Sequence, residues 1–281
     1  MAHPKPVISC EFFPPVDDEA LQALLHTAER LQAIQPQYFS VTYGAGGTTQ
    51  ERTLATVFRL QEHSRIPIAP HLTCIGSTRS GVQALLTQYQ QRGIQRLVAL
   101  RGDLPSGTHC IGELRYANEL VEFIRASTED YFHIEVAAYP EFHPQAHSPE
   151  RDLQHFQHKI QAGANAAITQ YFFNADGYFR FIDDCQRLGI EVPIVPGIMP
   201  ITNYRQLARF SDRCGAEIPR WLRQRLAHFG DDRASLLAFG EEIISALCQR
   251  LLEQGAPGLH FYSMNRADPT LAICHNLGLS A

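Results

Sequence analysis

Short apolar runs alternate along this chain with longer stretches in which apolar residues recur at helical spacing. Pro6 to Phe13 reads as a buried strand, closed by Pro14 and Pro15, which cannot continue a ladder. Asp17 and Asp18 then open a helix as cap and first-turn acids, with Leu21, Leu24, Leu25, Ala28 and Leu31 on its apolar face. The same alternation repeats. Further strands are expected at Gln37 to Tyr43, Pro67 to Cys74, through Val98-Ala99-Leu100, and at Phe132 to Tyr139, Ala166 to Phe173, Val192 to Ile198 and Leu259 to Ser263. Helices fall between them, among them Glu113 to Ala126, Pro149 to Ala162, Asp176 to Leu188, Asp231 to Gln254 and a last one at Pro269 to Leu277. The region from Asn203 to Phe229 reads as helical but broken at Pro219. Gly44 to Thr49 and Leu104 to Gly112 read as loops.

Strands that recur with helices between them, at intervals of about 30 residues, imply right-handed parallel crossovers. Eight such units point to an α/β fold, a closed (β/α)8 TIM barrel. It carries extra helices near residues 203–229 and forms a single catalytic domain over residues 1–281. A doubly wound open sheet is the alternative, but no Gly-x-Gly-x-x-Gly follows the first strand.

Composition narrows the function. The net charge is −5 and no basic stripe runs along the chain, which argues against nucleic acid as a partner. No apolar stretch is long enough to span a membrane, and residues 1–9 lack the apolar core of a signal peptide, so a cytoplasmic location is expected. Seven scattered cysteines without a Cys-x-x-Cys support neither a disulfide framework nor a metal site.

In such a barrel the chemistry sits where strands end. Glu11 lies among Ile8, Cys10, Phe12 and Phe13 with no cation nearby in sequence, so a raised pKa and a general-acid role are expected. Arg101 and Asp103 follow the fourth strand with the same parity, around Gly102. Asp103, two residues from Arg101, is expected to stay ionised. One proton donor and one fixed anion suit a reaction through a cationic intermediate. Ser40, Thr42, His71, Thr73, Tyr139, Glu141, His143, Thr169, Gln170, His260, Tyr262, Asn265 and Arg266 also fall at strand ends. The only lysines are Lys5 and Lys159, neither at a strand end, which argues against a Schiff base. Lys159, with His155 and His158 nearby, could receive a phosphate or could be an exposed helix face.

The runs Ser9 to Pro15, Ser40 to Ala45, Pro70 to Cys74, Val98 to Pro105, Ala137 to Glu141, Ile168 to Phe172, Pro196 to Pro200 and His260 to Ala267 together resemble methylenetetrahydrofolate reductase, in its short bacterial form. The resemblance covers nearly the whole chain and implies a flavoprotein oxidoreductase. In that family FAD is bound without covalent attachment, NADH or NADPH delivers hydride to it, and 5,10-methylenetetrahydrofolate then receives the hydride, giving 5-methyltetrahydrofolate. It implies that Glu11 protonates the folate and that Asp103 holds the pterin and supports the cation. By motif position, Gln170, Gln206 and Arg266 contact folate, Phe210 and Tyr262 form apolar walls, and Thr42 and Gln170 meet the nicotinamide. FAD contacts fall on Tyr43, Ala45, His71, Arg101, Gly102, Asp103, Tyr116, Ala117, Tyr139, His143, Pro144, Gln145, Ala146, Asp152 and Lys159, with Thr42, His155 and His158 beside them. His155 and His158 replace amide and guanidinium groups of the family, and a neutral imidazole is a weaker phosphate partner, so FAD retention is expected to be weaker or pH-dependent. A homo-oligomer and a role in methionine synthesis are also implied. The alternatives are another flavin-dependent barrel oxidoreductase and a non-catalytic folate- or flavin-binding subunit.

Overall fold

The computed structural model describes residues 6–43, 47–102 and 112–279. Asp103 and Ala45, and the expected loop from Leu104 through residue 111, lie outside them.

Strands β1 (Val7–Phe12), β2 (Tyr38–Val41), β3 (Ile68–Thr73), β4 (Arg96–Leu100), β5 (His133–Ala138) and β6 (Ala166–Thr169) pair in sequence order, all parallel. β7 (Ile194–Val195) pairs with β6, and β8 (Gly197–Ile198) pairs with β9 (Gly258–Tyr262), which returns to β1. β7 and β8 are one strand position interrupted by Pro196, whose missing N–H breaks the ladder. The ring therefore closes through residues 194–198 as an (β/α)8 barrel. At the seam the Pro196 carbonyl accepts from His260 N at 3.0 Å, and Gly197 N donates to the Thr169 hydroxyl at 2.9 Å.

Period-two alternation separates two layers. Ile8, Cys10 and Phe12 face outward into the large core between strands and helices, while Ser9 and Glu11 face the lumen. A second, smaller apolar cluster of Tyr38, Ala69, Val98 and Ile168 fills the lumen, with Leu100 against it.

The observed elements depart from the sequence reading at a few places. The helix expected from Glu113 begins at Ala117, because the Glu119 carboxylate takes the Arg115 N–H and holds the preceding turn open. A helix over Gly47–His63 starts inside the stretch read as loop. β6 ends at Thr169, four residues early. The broken region resolves into helices Tyr204–Cys214 and Arg220–His228, the second starting after Pro219 as the proline requires. Val98 and Leu100 point into the lumen cavity, whereas Arg101 lies past the end of β4.

Candidate active site

Glu11 stands at the floor of a cavity of about 320 Å³ at the C-terminal mouth of the barrel. His71, Val98, Leu100, Ala137, Tyr139, Ile168, Gln170, Phe210 and Tyr262 line it, from six different strands or the helices after them. That volume is at the lower end for small-molecule sites, about 300–1,000 Å³.

The register explains why these side chains meet. Glu11 pairs with Ser40 on β2 and Tyr262 on β9, and Ser9 pairs with His260, so alternate residues of three neighbouring strands share the lumen. His71 Nε2 lies 3.3 Å from Glu11 Oε2, and His260 Nε2 lies 3.8 Å from the same oxygen. Neither nitrogen makes a well-aligned hydrogen bond, so both are buried polar atoms turned toward one carboxylate. Burial alone would raise the Glu11 pKa; the His260 and His71 imidazoles turned toward the carboxylate outweigh it and bring the carboxyl down to about 2. This corrects the expected raised pKa. The partners absent from the local sequence are supplied by β3 and β9.

The expected flavin residues form one connected patch and a second, separate one. Arg101 Nη2 donates to Gln145 Oε1 at 2.8 Å. Gln145 N donates to His143 Nδ1 at 3.0 Å, and Ala146 N to the His143 carbonyl at 2.9 Å. His143 N in turn donates to Asp152 Oδ2 at 2.9 Å, and the His143 ring packs edge-on to Tyr139 with centroids 4.7 Å apart. Pro144 packs at Gly215, where a Cβ would come within 2.6 Å of it. Gly102 has φ +81°, and a Cβ there would sit 3.0 Å from Thr73 Cβ.

Lys159 turns inward to donate to the Ala137 carbonyl, away from the exposed rings of His155 and His158. Burial lowers its pKa to about 8, opposed by Asp152. His158 lines a surface groove with Asn118, Glu122 and Arg125 of the neighbouring helix Ala117–Thr128. Tyr116, 54% exposed, caps that helix, whose first residue is Ala117. Thr42 follows β2, its N–H on the Phe12 carbonyl and its own carbonyl taken by Thr53. Tyr43 is partly buried and faces Tyr89 on the outer helix Arg79–Gln91.

The expected folate residues divide between two cavities. Gln170, Phe210 and Tyr262 line the one that holds Glu11, whereas Gln206 and Arg266 line a neighbouring cavity of about 450 Å³. Gln206 and Phe210 lie four apart on helix Tyr204–Cys214, which joins the two. Sequence reasoning did not assign Met199, Tyr171, Cys214 and Met264 to the wall, nor His260 to Glu11. The shared parity of His260 and Tyr262 on one apolar strand was the available signal for the histidine.

The sequence profile of methylenetetrahydrofolate reductase matches residues 1–278. The chain belongs to the methylenetetrahydrofolate reductase family. It is 40% identical to the 5,10-methylenetetrahydrofolate reductase of Escherichia coli (strain K12), over 97% of this chain and 90% of that protein. It is 37% identical to a probable methylenetetrahydrofolate reductase (NADH) of Oryza sativa subsp. japonica, covering 97% of this chain but 48% of the plant protein. A solved structure from Clostridium thermocellum, described as binding two copies of 5-methyl-5,6,7,8-tetrahydrofolic acid, shares the fold with a TM-score of 0.68 at 17% identity, over 97% of this chain and 94% of that one. The family is one of oxidoreductases, and its short bacterial form fits the coverage.

Proposed function

We propose that this reductase converts 5,10-methylenetetrahydrofolate to 5-methyltetrahydrofolate as a single-barrel cytoplasmic enzyme. FAD is its bound cofactor, NADH or NADPH its hydride donor, and the two substrates take turns in a ping-pong sequence that supplies methyl groups for methionine synthesis. The observation that carries the reading is Glu11 with two imidazoles at the floor of an apolar cavity whose walls hold Gln170, Phe210 and Tyr262. The name of the Escherichia coli relative gives the reaction, that of the rice relative gives NADH, and the Clostridium protein binds the product folate.

The residues present suit FAD. Val98, Leu100 and Ala137 offer an apolar bed, and Arg101, Gln145 and the His143 turn supply polar contacts beside it. His158 and Arg125 border the helix–helix groove further out. When bound, a flavin supplies a two-electron carrier between nicotinamide and folate.

The protein's own work is proton placement and orientation. Glu11 hands a proton to the folate bridge nitrogen, which opens the five-membered ring to an iminium that hydride can reach. A carboxylate held beside two imidazoles acts as such a donor by passing on a proton those rings supply. Gln170 has its carbonyl side fixed by the Tyr171 N–H at 3.0 Å, which leaves its amide N–H2 for the pterin edge or the nicotinamide, with Thr42 on the same rim. Tyr262 is locked by its hydroxyl on the Thr169 carbonyl at 2.7 Å and, with Phe210, walls the ring system. Gln206 and Arg266, in the adjoining cavity, receive the anionic end of the folate. Asp103 anchors the pterin in this reading.

Anaerobic titration tests it. The purified protein is expected to be yellow, to bleach with NADH or NADPH, and to regain colour with methylenetetrahydrofolate. Bleaching that the folate does not reverse would overturn the substrate assignment and favour another flavin-dependent barrel oxidoreductase.

A further inference from the structure

Barrel lumens are normally closed by layers of branched apolar side chains. Below Glu11, beside the apolar cluster of Ala69, Val98 and Ile168, this lumen also holds a file of polar groups. His260 Nδ1 lies 2.7 Å from the Ser9 hydroxyl. Ser9 and Tyr38 are register partners on β1 and β2, and the Tyr38 ring stacks at 6.1 Å on His260. The Tyr38 hydroxyl donates to Glu135 Oε2. The other carboxylate oxygen of Glu135 lies 3.2 Å from Arg96 Nη1 and 3.7 Å from His133 Nε2. Ser9, Tyr38, Glu135 and His260 are all buried, Ser9 and His260 completely. Arg96 and His133 are the first residues of β4 and β5, and they line a cavity of about 630 Å³ at the opposite, N-terminal end of the barrel. The file thus runs from beside Glu11 toward the N-terminal face, where Arg96 and His133 stand.

A buried carboxylate such as Glu135 is costly unless it is paired or used. Arg96 on one oxygen and Tyr38 on the other would satisfy it in a static arrangement. The Ser9 and His260 links beyond Tyr38 are not needed for that, and each of these groups both gives and accepts a proton. Glu11 meanwhile is held as the anion by its imidazoles, so it must be loaded before it can donate. With folate and flavin over the mouth, the cavity side is covered.

We propose that Glu11 is reloaded from the N-terminal face of the barrel, through Glu135, Tyr38, Ser9 and His260. The inference rests on the Glu11 role given under Proposed function. One transfer balances as follows. Protonated Glu135 gives its proton to the Tyr38 oxygen, Tyr38 gives its own to Ser9, Ser9 to His260 Nδ1, and His260 gives Nε2–H to Glu11. Glu135 is left as the anion accepting from Tyr38, the arrangement seen in the structure, and regains a proton from water in the His133 cavity. Burial raises the Glu135 pKa, against the lowering effects of Tyr38, His260, Arg96 and His71, which suits a group that takes up and releases a proton. The charged and titratable groups facing it are Arg96, His133 and Tyr38, with Arg125 near His133. These are positioning residues: none touches substrate.

The test uses the flavin-loaded full chain, stopped-flow absorbance and Tyr38→Phe, with Glu135→Gln as a second variant that keeps volume and hydrogen bonding. Reduction by NADH or NADPH should keep its wild-type rate in both. Reoxidation by methylenetetrahydrofolate should slow about tenfold or more and show a larger solvent deuterium isotope effect, whereas Glu135→Asp should recover part of the rate. Wild-type reoxidation with an unchanged isotope effect in both variants overturns the proposal, as does equal slowing of both half-reactions. A wild-type protein that does not react with the folate at all would instead sink the reading of function.

Discussion

Glu11 is where the physical chemistry of this protein concentrates. Its folded carboxyl lies near 2, below its ordinary value of 4.5, so the native state gains stability above the ordinary value and loses it as pH falls toward 2. At ~1.4 kcal/mol per pKa unit the gain is a few kcal/mol at most. Glu11→Gln should therefore flatten the fall of the urea midpoint between pH 5 and pH 2.5; an unaltered acid limb would contradict the paired carboxylate. His158→Arg, in the groove beside Arg125, is expected to hold FAD more tightly through gel filtration, and unchanged retention would remove His158 from the cofactor site. At this scale the sequence was legible where a polar residue interrupted an apolar strand, as at Glu11 and Gln170. It was illegible where a partner came from a distant strand. His71 and His260 lie 60 and 249 positions from Glu11, and only strand register brings them to it. The inward turn of Lys159 to the Ala137 carbonyl was likewise hidden, because spacing along a helix gives a face but not the reach of a long side chain.

Among the elements, the β7–β8 position is tightly constrained. A Cβ on Gly197 would lie 2.1 Å from the Thr169 carbonyl oxygen and 2.7 Å from the Tyr262 ring, so no side chain fits between β6 and β9 there. Gly197→Ala should cost about 3 kcal/mol or more by overpacking, read as a lower urea midpoint, and should disturb Tyr262 even in protein that folds. A variant with wild-type stability would mean the seam is looser than drawn. The order and type of the elements followed from periodicity, since a parallel strand buried on both faces reads as a plain apolar run. Their ends did not. β6 stops at Thr169 because the apolar Tyr171, Phe172 and Phe173 pack beside the barrel mouth rather than in the ladder, and Pro196 splits one strand into two. A proline inside an apolar run gives no sign of whether a strand ends or merely skips a bond.

As a whole molecule, the barrel divides its labour between two ends. The C-terminal mouth gathers Glu11, Gln170, Phe210 and Tyr262 in one cavity, and the N-terminal end exposes Arg96 and His133. The helix carrying both Gln206 and Phe210 links the cavity that holds Glu11 to an arginine-lined one, an arrangement that fits the proposed long substrate with an apolar head and an acidic tail. Anaerobic stopped-flow on Glu11→Gln tests the central claim most directly. Flavin reduction by NADH or NADPH should proceed at close to the wild-type rate, and reoxidation by methylenetetrahydrofolate should fall by at least a hundredfold, since a lost general acid costs about 10²–10⁴. Reoxidation at the wild-type rate, or equal loss of both steps, would contradict the role given to Glu11.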